Sequence, residues 1–177
     1  MTRSGESIST RPSEELGTNG WDKGLRIFSI CFLNALVIAG LLGFLGVRST
    51  TAVASGNGFA LEVTHASVTR PGLATPLDLK VSTDDGSPLP AKVTTRIGSS
   101  YLAIFDENGL DPQPVSSFQS EEWTWWTFEV PNGATILEVS FDARLEPAVQ
   151  WGQGSTAAVE VGDEEVVAVD FETRVLP

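Results

Sequence analysis

One uninterrupted apolar run, from Ile27 to Val47, is the feature that most constrains how this chain folds. It contains no charged residue, and Asn34 is its only strongly polar side chain. An α-helix rises about 1.5 Å per residue, so about 20 residues span the roughly 30 Å hydrocarbon core of a bilayer. The sequence therefore predicts a single transmembrane helix over residues 26–48, and no other stretch is long enough to cross.

Basic residues on either side of the run predict its orientation. Arg3, Arg11, Lys23 and Arg26 precede the run, whereas Arg48 stands alone after it. Lys and Arg close to a membrane span are retained in the cytoplasm. We therefore expect a cell-membrane protein with its N-terminus in the cytoplasm and its C-terminal domain outside.

A cleaved secretory signal is the alternative interpretation of the same run. Ala52-Val53-Ala54, which precedes Ser55, resembles the small-residue site at which signal peptides are cut. However, the run is longer than the usual apolar core of a signal peptide, which has about 7–15 residues, and a mostly polar stretch precedes it. These two features favour an uncleaved anchor. Either outcome places the main domain outside the cytoplasm.

The negative charge of the chain belongs to the part that follows the span. Residues 1–26 hold four basic and four acidic side chains, and residues 48–177 hold seven basic and nineteen acidic ones, so the net charge of −12 lies in the outer part. Nucleic acid requires a basic face, so it is excluded as a partner, and direct binding to anionic lipid headgroups is disfavoured. We interpret the acidity as a solvated surface that keeps the domain soluble.

The only cysteine, Cys31, lies inside the apolar run. The outer domain therefore has no residues for a disulfide, for a cysteine-ligated zinc site or for Cys–His nucleophilic catalysis. Its stability has to come from a packed core, for which about 120 residues suffice.

The segments on either side of the span have few large apolar side chains. Residues 1–20 are rich in Ser, Thr, Gly and Glu, and we predict a disordered cytoplasmic tail over residues 1–25. Residues 49–57 are mostly small, which predicts a flexible or extended linker. The folded domain is therefore expected over residues 58–177.

From Phe59 onward the apolar residues alternate with polar ones, which predicts strands with one buried and one solvated face. Turn residues such as Pro71-Gly72 and Asn108-Gly109 separate these segments. The alternation predicts eight strands, near residues 59–66, 76–83, 91–97, 101–106, 123–130, 135–145, 156–161 and 165–175. Short strands at this spacing predict an all-β fold, an immunoglobulin-like antiparallel β-sandwich, with a closed barrel as the second choice.

The first predicted strand pair carries a resemblance to a known family. Ser67-Val68-Thr69-Arg70-Pro71-Gly72, followed by Pro76-Leu77-Asp78-Leu79-Lys80-Val81, resembles the opening of bacterial immunoglobulin-like modules, in which a Pro-Gly turn leads into the second strand. The whole chain is similar to small membrane-anchored proteins of high-GC Gram-positive bacteria that carry such a domain. The resemblance supports the fold and implies no activity.

Small residues follow one face of the predicted transmembrane helix. Ala35, Ala39 and Gly43 recur every four residues, a register in which a second helix can approach closely. Asn34 lies to one side of them, and an amide in lipid seeks a hydrogen-bond partner. These four residues are the predicted contact with an integral membrane partner. The alternative is that Gly and Ala are simply common in membrane helices.

The outer domain offers few residues for chemistry. Its one histidine, His65, lies on the core side of a predicted strand with no motif around it, which is typical of a structural histidine. The segment Asp106-x-Asn108-Gly109-x-Asp111 has oxygen ligands that suit Ca²⁺ but lacks the spacing of an EF-hand, and an acidic Asn-Gly turn explains it equally well. We predict no catalytic residues, no metal site, no cofactor and no enzyme activity.

The most distinctive local signal is Trp123-Thr124-Trp125-Trp126-Thr127-Phe128. In one strand, Trp126 and Phe128 share a face, and Trp123 and Trp125 share the other. If the first pair is buried, the second pair marks a contact surface for a partner protein or a stacking platform for sugar rings, together with Trp151. Alternatively, the segment 107–121 covers both indoles and they belong to the core.

Together these observations predict a single-pass membrane protein whose outer domain is a non-catalytic interaction module. Its expected role is that of an accessory or scaffolding subunit of a membrane complex. The alternative is a module that binds cell-surface carbohydrate or cell wall through exposed tryptophans.

Overall fold

The computed structural model describes residues 20–41, 46–162 and 164–176. The chain divides into two compact units, residues 1–44 and residues 45–177. The described part of the first unit is one helix, α1, over Gly20–Leu41. Within it, Lys23–Leu41 is long and apolar enough to cross a membrane, and none of its most apolar stretch is buried.

Helix α1 begins and ends earlier than the predicted span of 26–48. Residues 20–25 of the predicted disordered tail are helical, and residues 1–19 of that tail lie outside the described residues. Leu41 is its last described helical residue, and Arg48 already belongs to a β-strand. The C-terminal end of the predicted span was therefore wrong, because Gly46 and Val47 are apolar enough to extend the run but are not helical. Residues 42–45 lie outside the described part of the chain.

The second unit is built almost entirely of strands. They run over Arg48–Gly56 (β1), Phe59–Thr69 (β2), Leu77–Thr83 (β3), Lys92–Gly98 (β4), Phe105–Asp111 (β5), Ser116–Gln119 (β6), Trp123–Glu129 (β7), Ile136–Leu145 (β8), Gln153–Val161 (β9) and Glu164–Val175 (β10). One helical turn, α2, covers Ser99–Leu102 between β4 and β5. The predicted all-β class is confirmed.

The strands form one mixed sheet that curls into two facing halves. The order of hydrogen-bonded neighbours is β5-β8-β3-β2-β10-β9-β4-β7-β6, and β1 pairs with β2. Strands β5, β8, β3, β2 and β1 make the first half, and strands β10, β9, β4, β7 and β6 make the second. The halves join where β10 runs parallel to β2, in the pairs Arg174↔Val68 and Val175↔Thr69. The other described strand pairs are antiparallel.

A single apolar core lies between the two halves. The alternation of strand β8 is complete, because every second residue from Leu137 to Leu145 is buried and the residues between them are exposed. The fully buried side chains come from both halves and include Leu61, Val63, Leu79, Val81, Val93, Ile97, Tyr101, Phe128, Val139 and Val159. The core thus forms without any disulfide.

The turn between β2 and β3 follows directly from its Pro-Gly pair. Proline fixes φ at the first central position of a type II turn, and glycine accepts the positive φ that the second position requires. Gly72 has a φ of +78°, and the Leu73 amide donates to the Arg70 carbonyl at 3.3 Å. The Gly72 amide also donates to the Leu145 carbonyl at 2.9 Å, which ties the turn to β8.

The predicted linker over residues 49–57 was wrong, because these residues form strand β1. β1 pairs with β2 along its whole length, from Arg48↔Val68 to Gly56↔Phe59. Ala52 and Ala54 pack against the core, and a Cβ on Gly56 would lie 2.9 Å from the carbonyl oxygen of Val166 on β10. Small side chains are needed here because β1 lies close to both neighbouring strands.

Two further elements differ from the sequence prediction. The strand expected at 101–106 begins only at Phe105, because residues 99–102 form the helical turn α2. It then continues through the expected Asn108-Gly109 turn, with an irregularity in its pairing to β8 between residues 107 and 109. Strand β6 was not predicted, since its sequence Ser-Ser-Phe-Gln does not alternate.

Substitution of Gly152 tests the packing of the β8–β9 loop against β10. A Cβ at this position would lie 2.3 Å from the Thr173 carbonyl oxygen and 2.9 Å from the Arg174 Cα, and backbone atoms of a paired strand cannot move aside easily. We expect G152A to lower the free energy of unfolding by about 2–3 kcal/mol in chemical denaturation. The control is G109A, where no atom lies within 4 Å of the new Cβ. Equal stability of the two variants would contradict the packing.

Candidate functional site

The tryptophan-rich strand β7 presents different side chains to its two faces. Trp126 and Phe128 share one face, as the alternation predicts, and this face is buried in the core. Trp123 and Trp125 lie on the opposite face and are half-buried. They are therefore neither core residues nor fully exposed indoles.

The segment predicted as a cover for Trp123 and Trp125 lies beside them instead. Its strand β6 pairs with β7, and this register places Phe118 opposite Trp125. The two ring centroids are 5.4 Å apart, with the ring planes tilted by 37°. Phe118 itself remains 65% exposed, which is unusual for a phenylalanine in a strand.

Arg96 of β4 organises the same face of the sheet. The strand register pairs it with Trp125 of β7 on one side and with Ala158 of β9 on the other. Its guanidinium carbon lies 4.4 Å from the centroid of the Trp123 ring, a cation–π geometry. We call Arg96, Phe118, Trp123 and Trp125 the outer aromatic face.

Two glutamates hold the guanidinium of Arg96 in place. Arg96 Nη1 lies 3.0 Å from Glu160 Oε1, and Nη2 pairs with Glu165. Glu160 also accepts a long hydrogen bond of 3.4 Å from the indole nitrogen of Trp125. The side chains of Arg96 and Glu160 are only 21% and 18% exposed, so solvent screens this pair less than an ordinary surface ion pair. With one cation for two carboxylates, the outer aromatic face stays acidic at its β9–β10 side.

Sequence reasoning missed Arg96, Glu160 and Glu165 because no local motif joins them. They come from three different strands, and only the pairing of β9 with β4 on one side and with β10 on the other brings them together. The sequence feature that could have pointed to Arg96 is a single arginine within a predicted strand of a strongly acidic domain.

Trp151 does not join the outer aromatic face. It is 78% exposed and lies in the loop between β8 and β9. Within the described residues its ring makes no aromatic contact with Trp123 or Trp125, whereas Trp125 contacts Phe118. The outer aromatic face therefore includes Trp123 and Trp125 but not Trp151, and the partner- or glycan-binding role of the three tryptophans stays a prediction.

The predicted contact residues of the membrane helix are only partly described. Asn34 donates its side-chain amide to the Ile30 carbonyl at 2.8 Å, one turn earlier in the same helix. One of its two amide hydrogens is thus satisfied within the helix, while its side-chain oxygen remains an acceptor. Ala35 and Ala39 lie one turn apart on α1, and Gly43 falls outside the described residues.

His65 lies inside the domain, on the core side of β2 as predicted. Its ring centroid is 5.0 Å from that of Phe171, and its Nδ1 donates to the Ala66 carbonyl at 3.2 Å. Loss of hydration on burial lowers the pKa of His65 below its ordinary value of 6.5, and the hydrogen bond to Ala66 opposes this only in part. These contacts are those of a neutral structural histidine.

A buried hydrogen-bond chain lies close to His65. Thr173 donates to the Ala66 carbonyl at 2.7 Å, so its single proton is used and the Tyr101 hydroxyl donates to Thr173 at 2.8 Å. Burial raises the pKa of Tyr101 to about 12. These hydrogen bonds link α2, β10 and β2. The polar groups that form them bind one another and are not open to a substrate.

The acidic segment from Asp106 to Asp111 is part of strand β5 and not a free metal-binding loop. It pairs with β8 in the register Asp106↔Arg144 to Asp111↔Ser140. Among the described residues, no group of three or more His, Cys, Asp or Glu side chains is placed to hold a metal ion.

Comparisons with known proteins give no family. No protein-family model and no curated protein sequence match this chain. Among solved structures, an alkylpurine DNA glycosylase AlkC from Pseudomonas fluorescens, bound to DNA containing an abasic site analogue, aligns with 61% of this chain at 14% identity and a TM-score of 0.30. The chain spans 28% of the length of that glycosylase chain. A structural similarity this weak supports no conclusion about the fold or the function of this protein.

Replacement of Arg96 by methionine tests the electrostatic part of the outer aromatic face. R96M removes the cation over Trp123 and leaves Glu160 without its partner, so we expect the free energy of unfolding to fall by about 1–2 kcal/mol. The matched control is R174M, because Arg174 is 72% exposed and its ion pair with Glu172 is a loose 3.4 Å. We expect that change to stay within about 0.5 kcal/mol. Equal losses in both variants would contradict the organising role of Arg96.

His65 makes the stability of the domain depend on pH. Because the folded state lowers the pKa of His65, the unfolded chain takes up the proton first as the pH falls. The stabilisation is therefore present above about pH 6.5 and is lost as the pH falls through the lower folded-state pKa. We expect the unfolding free energy of the wild type to fall more than that of H65L between about pH 7.5 and 5. The unfolding free energies are measured by urea denaturation at each pH. If those of the wild type and H65L change in parallel with pH, His65 does not titrate in this way.

Proposed function

We propose that this protein is a single-pass membrane-anchored subunit whose outer β-domain binds a partner protein without catalysing a reaction. One observation carries the proposal. Phe118 lies 65% exposed on a terminal strand and packs against Trp125, so an aromatic surface is held in place yet left open. Aromatic side chains and arginine are the residues that dominate the binding energy of protein interfaces.

The geometry of Trp123 favours a protein partner over a sugar. A stacking platform for sugar rings needs a free indole face, and the guanidinium of Arg96 lies over one face of Trp123. The indole N–H of Trp125 is directed to Glu160 and is not free to donate to a sugar hydroxyl. The carbohydrate- or cell-wall-binding alternative therefore depends on Trp151, whose exposed ring is the observation that favours it.

Strand β1 supports an uncleaved anchor over a cleaved signal. Cleavage after Ala54 would remove seven of the nine residues of β1, including Ala52 and Ala54, which pack against the core. The edge of β2 from Leu61 to Val68 would then lose its pairing partner. We therefore propose that α1 is retained as a transmembrane helix, with the N-terminus in the cytoplasm and the β-domain outside.

We also propose that the domain is a variant of the immunoglobulin-like sandwich. The neighbours β2-β3-β8-β5 correspond to the A-B-E-D order of that fold, and β10-β9-β4 corresponds to G-F-C. Strands β6 and β7 extend the second half beyond β4, and no disulfide joins the halves. The resemblance of residues 67–81 to bacterial immunoglobulin-like modules supports the same proposal.

The membrane helix supplies the proposed second contact with the partner. Ala35 and Ala39 leave room for a neighbouring helix, and the side-chain oxygen of Asn34 can accept a hydrogen bond across that contact. We propose that these residues, with Gly43, bind an integral membrane protein.

The proposal is tested by affinity purification of the full-length protein in mild detergent. We expect a stoichiometric membrane protein to co-purify with the wild type and its recovery to fall at least about tenfold with the double variant F118S/W125T. The control is I136S, because Ile136 is an exposed apolar residue on β8, in the other half of the sheet. A separate A35L/A39L variant reports on the helix contact.

Three results would contradict this function. The first is that no protein is recovered with the wild type. The second is that F118S/W125T retains the same partner as fully as I136S does. The third is that the intact mass of the purified protein lacks residues 1–54, since a cleaved chain would have no anchor.

A further inference from the structure

The two terminal strands of the curled sheet, β5 and β6, leave a seam open between the halves. Each has one hydrogen-bonded neighbour in the described chain, β8 for β5 and β7 for β6. The seam contains a cavity of about 340 Å³. Its lining includes core side chains from both sides: Leu102, Phe105, Thr124 and Trp126.

Residues of β6 show that the seam is uncovered. Ser117 pairs with Trp126 and Gln119 pairs with Thr124, so these four side chains lie on the same, inward face of the sheet. Trp126 and Thr124 are buried, whereas Ser117 and Gln119 are exposed. The inner face of the second half therefore extends beyond the first half, and polar side chains take the positions that core residues would occupy.

The backbone of β6 is available for a further strand. A terminal strand exposes a row of N–H and C=O groups, and proteins commonly block such edges with charged side chains. β6 has the sequence Ser-Ser-Phe-Gln, which carries no charge. A segment of a partner that adds to this edge gains main-chain hydrogen bonds and places every second side chain towards the cavity.

Two acidic side chains beside β6 indicate the charge of the segment that the seam would bind. Exposed Glu121 and Glu122 follow Ser120, the first residue after β6, and form the acidic rim of the seam. No Lys or Arg lies between Ser99 and Glu129 in the sequence. Basic residues that alternate with apolar ones match this arrangement of charges and cavity.

We propose that the seam between β5 and β6 binds an extended segment of a partner protein, which pairs with β6, inserts an apolar side chain into the cavity and directs Lys or Arg residues to the acidic rim. This inference rests on the proposed function as an interaction subunit and names the kind of segment that is recognised. A second copy of this chain fits less well, because it would bring a further net charge of −12 to the same rim.

The test measures peptide binding to the full-length protein in detergent. The probe is a fluorescent peptide in which Lys alternates with Val and Phe. One control peptide has the same charge, with Pro at alternate positions so that it cannot pair as a strand. A second control carries Glu in place of Lys. We expect the probe to bind, both control peptides to bind at least about tenfold more weakly, and the β6 amides to be protected from hydrogen exchange by the probe alone.

A matched pair of variants locates the site. S117W fills the inward side of β6, whereas S116W places the same side chain on the outer side of the same strand, opposite Thr127. We expect S117W to weaken probe binding at least about tenfold and S116W to leave it unchanged. If S117W fails to fold by circular dichroism, A103W blocks the cavity from the α2 side, because Ala103 also lines it.

The inference is overturned if the probe does not bind, if the proline peptide binds as tightly, or if the cavity-blocking variant binds like S116W. It is also overturned if the protein alone is a dimer with protected β6 amides, because a second copy then occupies the edge. Co-purification of a membrane partner without probe binding refutes this inference alone. Probe binding without a partner refutes the accessory function and leaves the seam as a binding site.

Discussion

The outer domain depends on how its curled sheet is joined at one side. The parallel junction of β2 and β10 comprises only two residue pairs, so the backbone alone holds the two halves weakly. Thr173 strengthens this junction from inside the core, because its buried hydroxyl accepts from Tyr101 and donates to Ala66 of β2. If the two halves separated, each buried hydrogen bond would leave a polar group unsatisfied. The Tyr101–Thr173–Ala66 hydrogen bonds therefore favour the closed arrangement of the two halves. Strand β1 reinforces the same side by pairing with β2 and approaching β10 at Gly56.

Closure on one side leaves the two terminal strands, which carry the proposed binding features, on the other. The strands farthest from the junction are β5 on one half and β6 on the other, and no described strand bridges them. Phe118 is exposed on the outer side of β6, while Ser117 and Gln119 are exposed on its inner side. Arg96, tied to Glu160 and Glu165, fixes the neighbouring indoles. A rigid surface of this kind lowers the entropy lost when a partner binds.

Sequence alone was informative where side chains are large and alternate. It predicted the positions of β2, β3, β4 and β7 to β10, and it placed Trp126 and Phe128 on one face of β7. It failed for β1, whose inward residues Ala52, Ala54 and Gly56 are small because of close packing, a cause that is visible only in three dimensions. It also failed for Arg96, since a single charged residue in a strand carries no local sign of partners on other strands. The register of the strand pairing brings Arg96 and its glutamate partners together, and the composition of the sequence does not reveal it.

The pairing of β1 also determines how the domain responds to mechanical force. Tension transmitted along the chain from the helix enters the domain at Arg48, the open end of the β1–β2 hairpin. A load that pulls this open end away from β2 breaks the strand pairs one after another and does not shear them together. β1 would therefore peel from β2 before the junction at Thr173 is strained, so the hairpin acts as a yielding element that protects the remaining core.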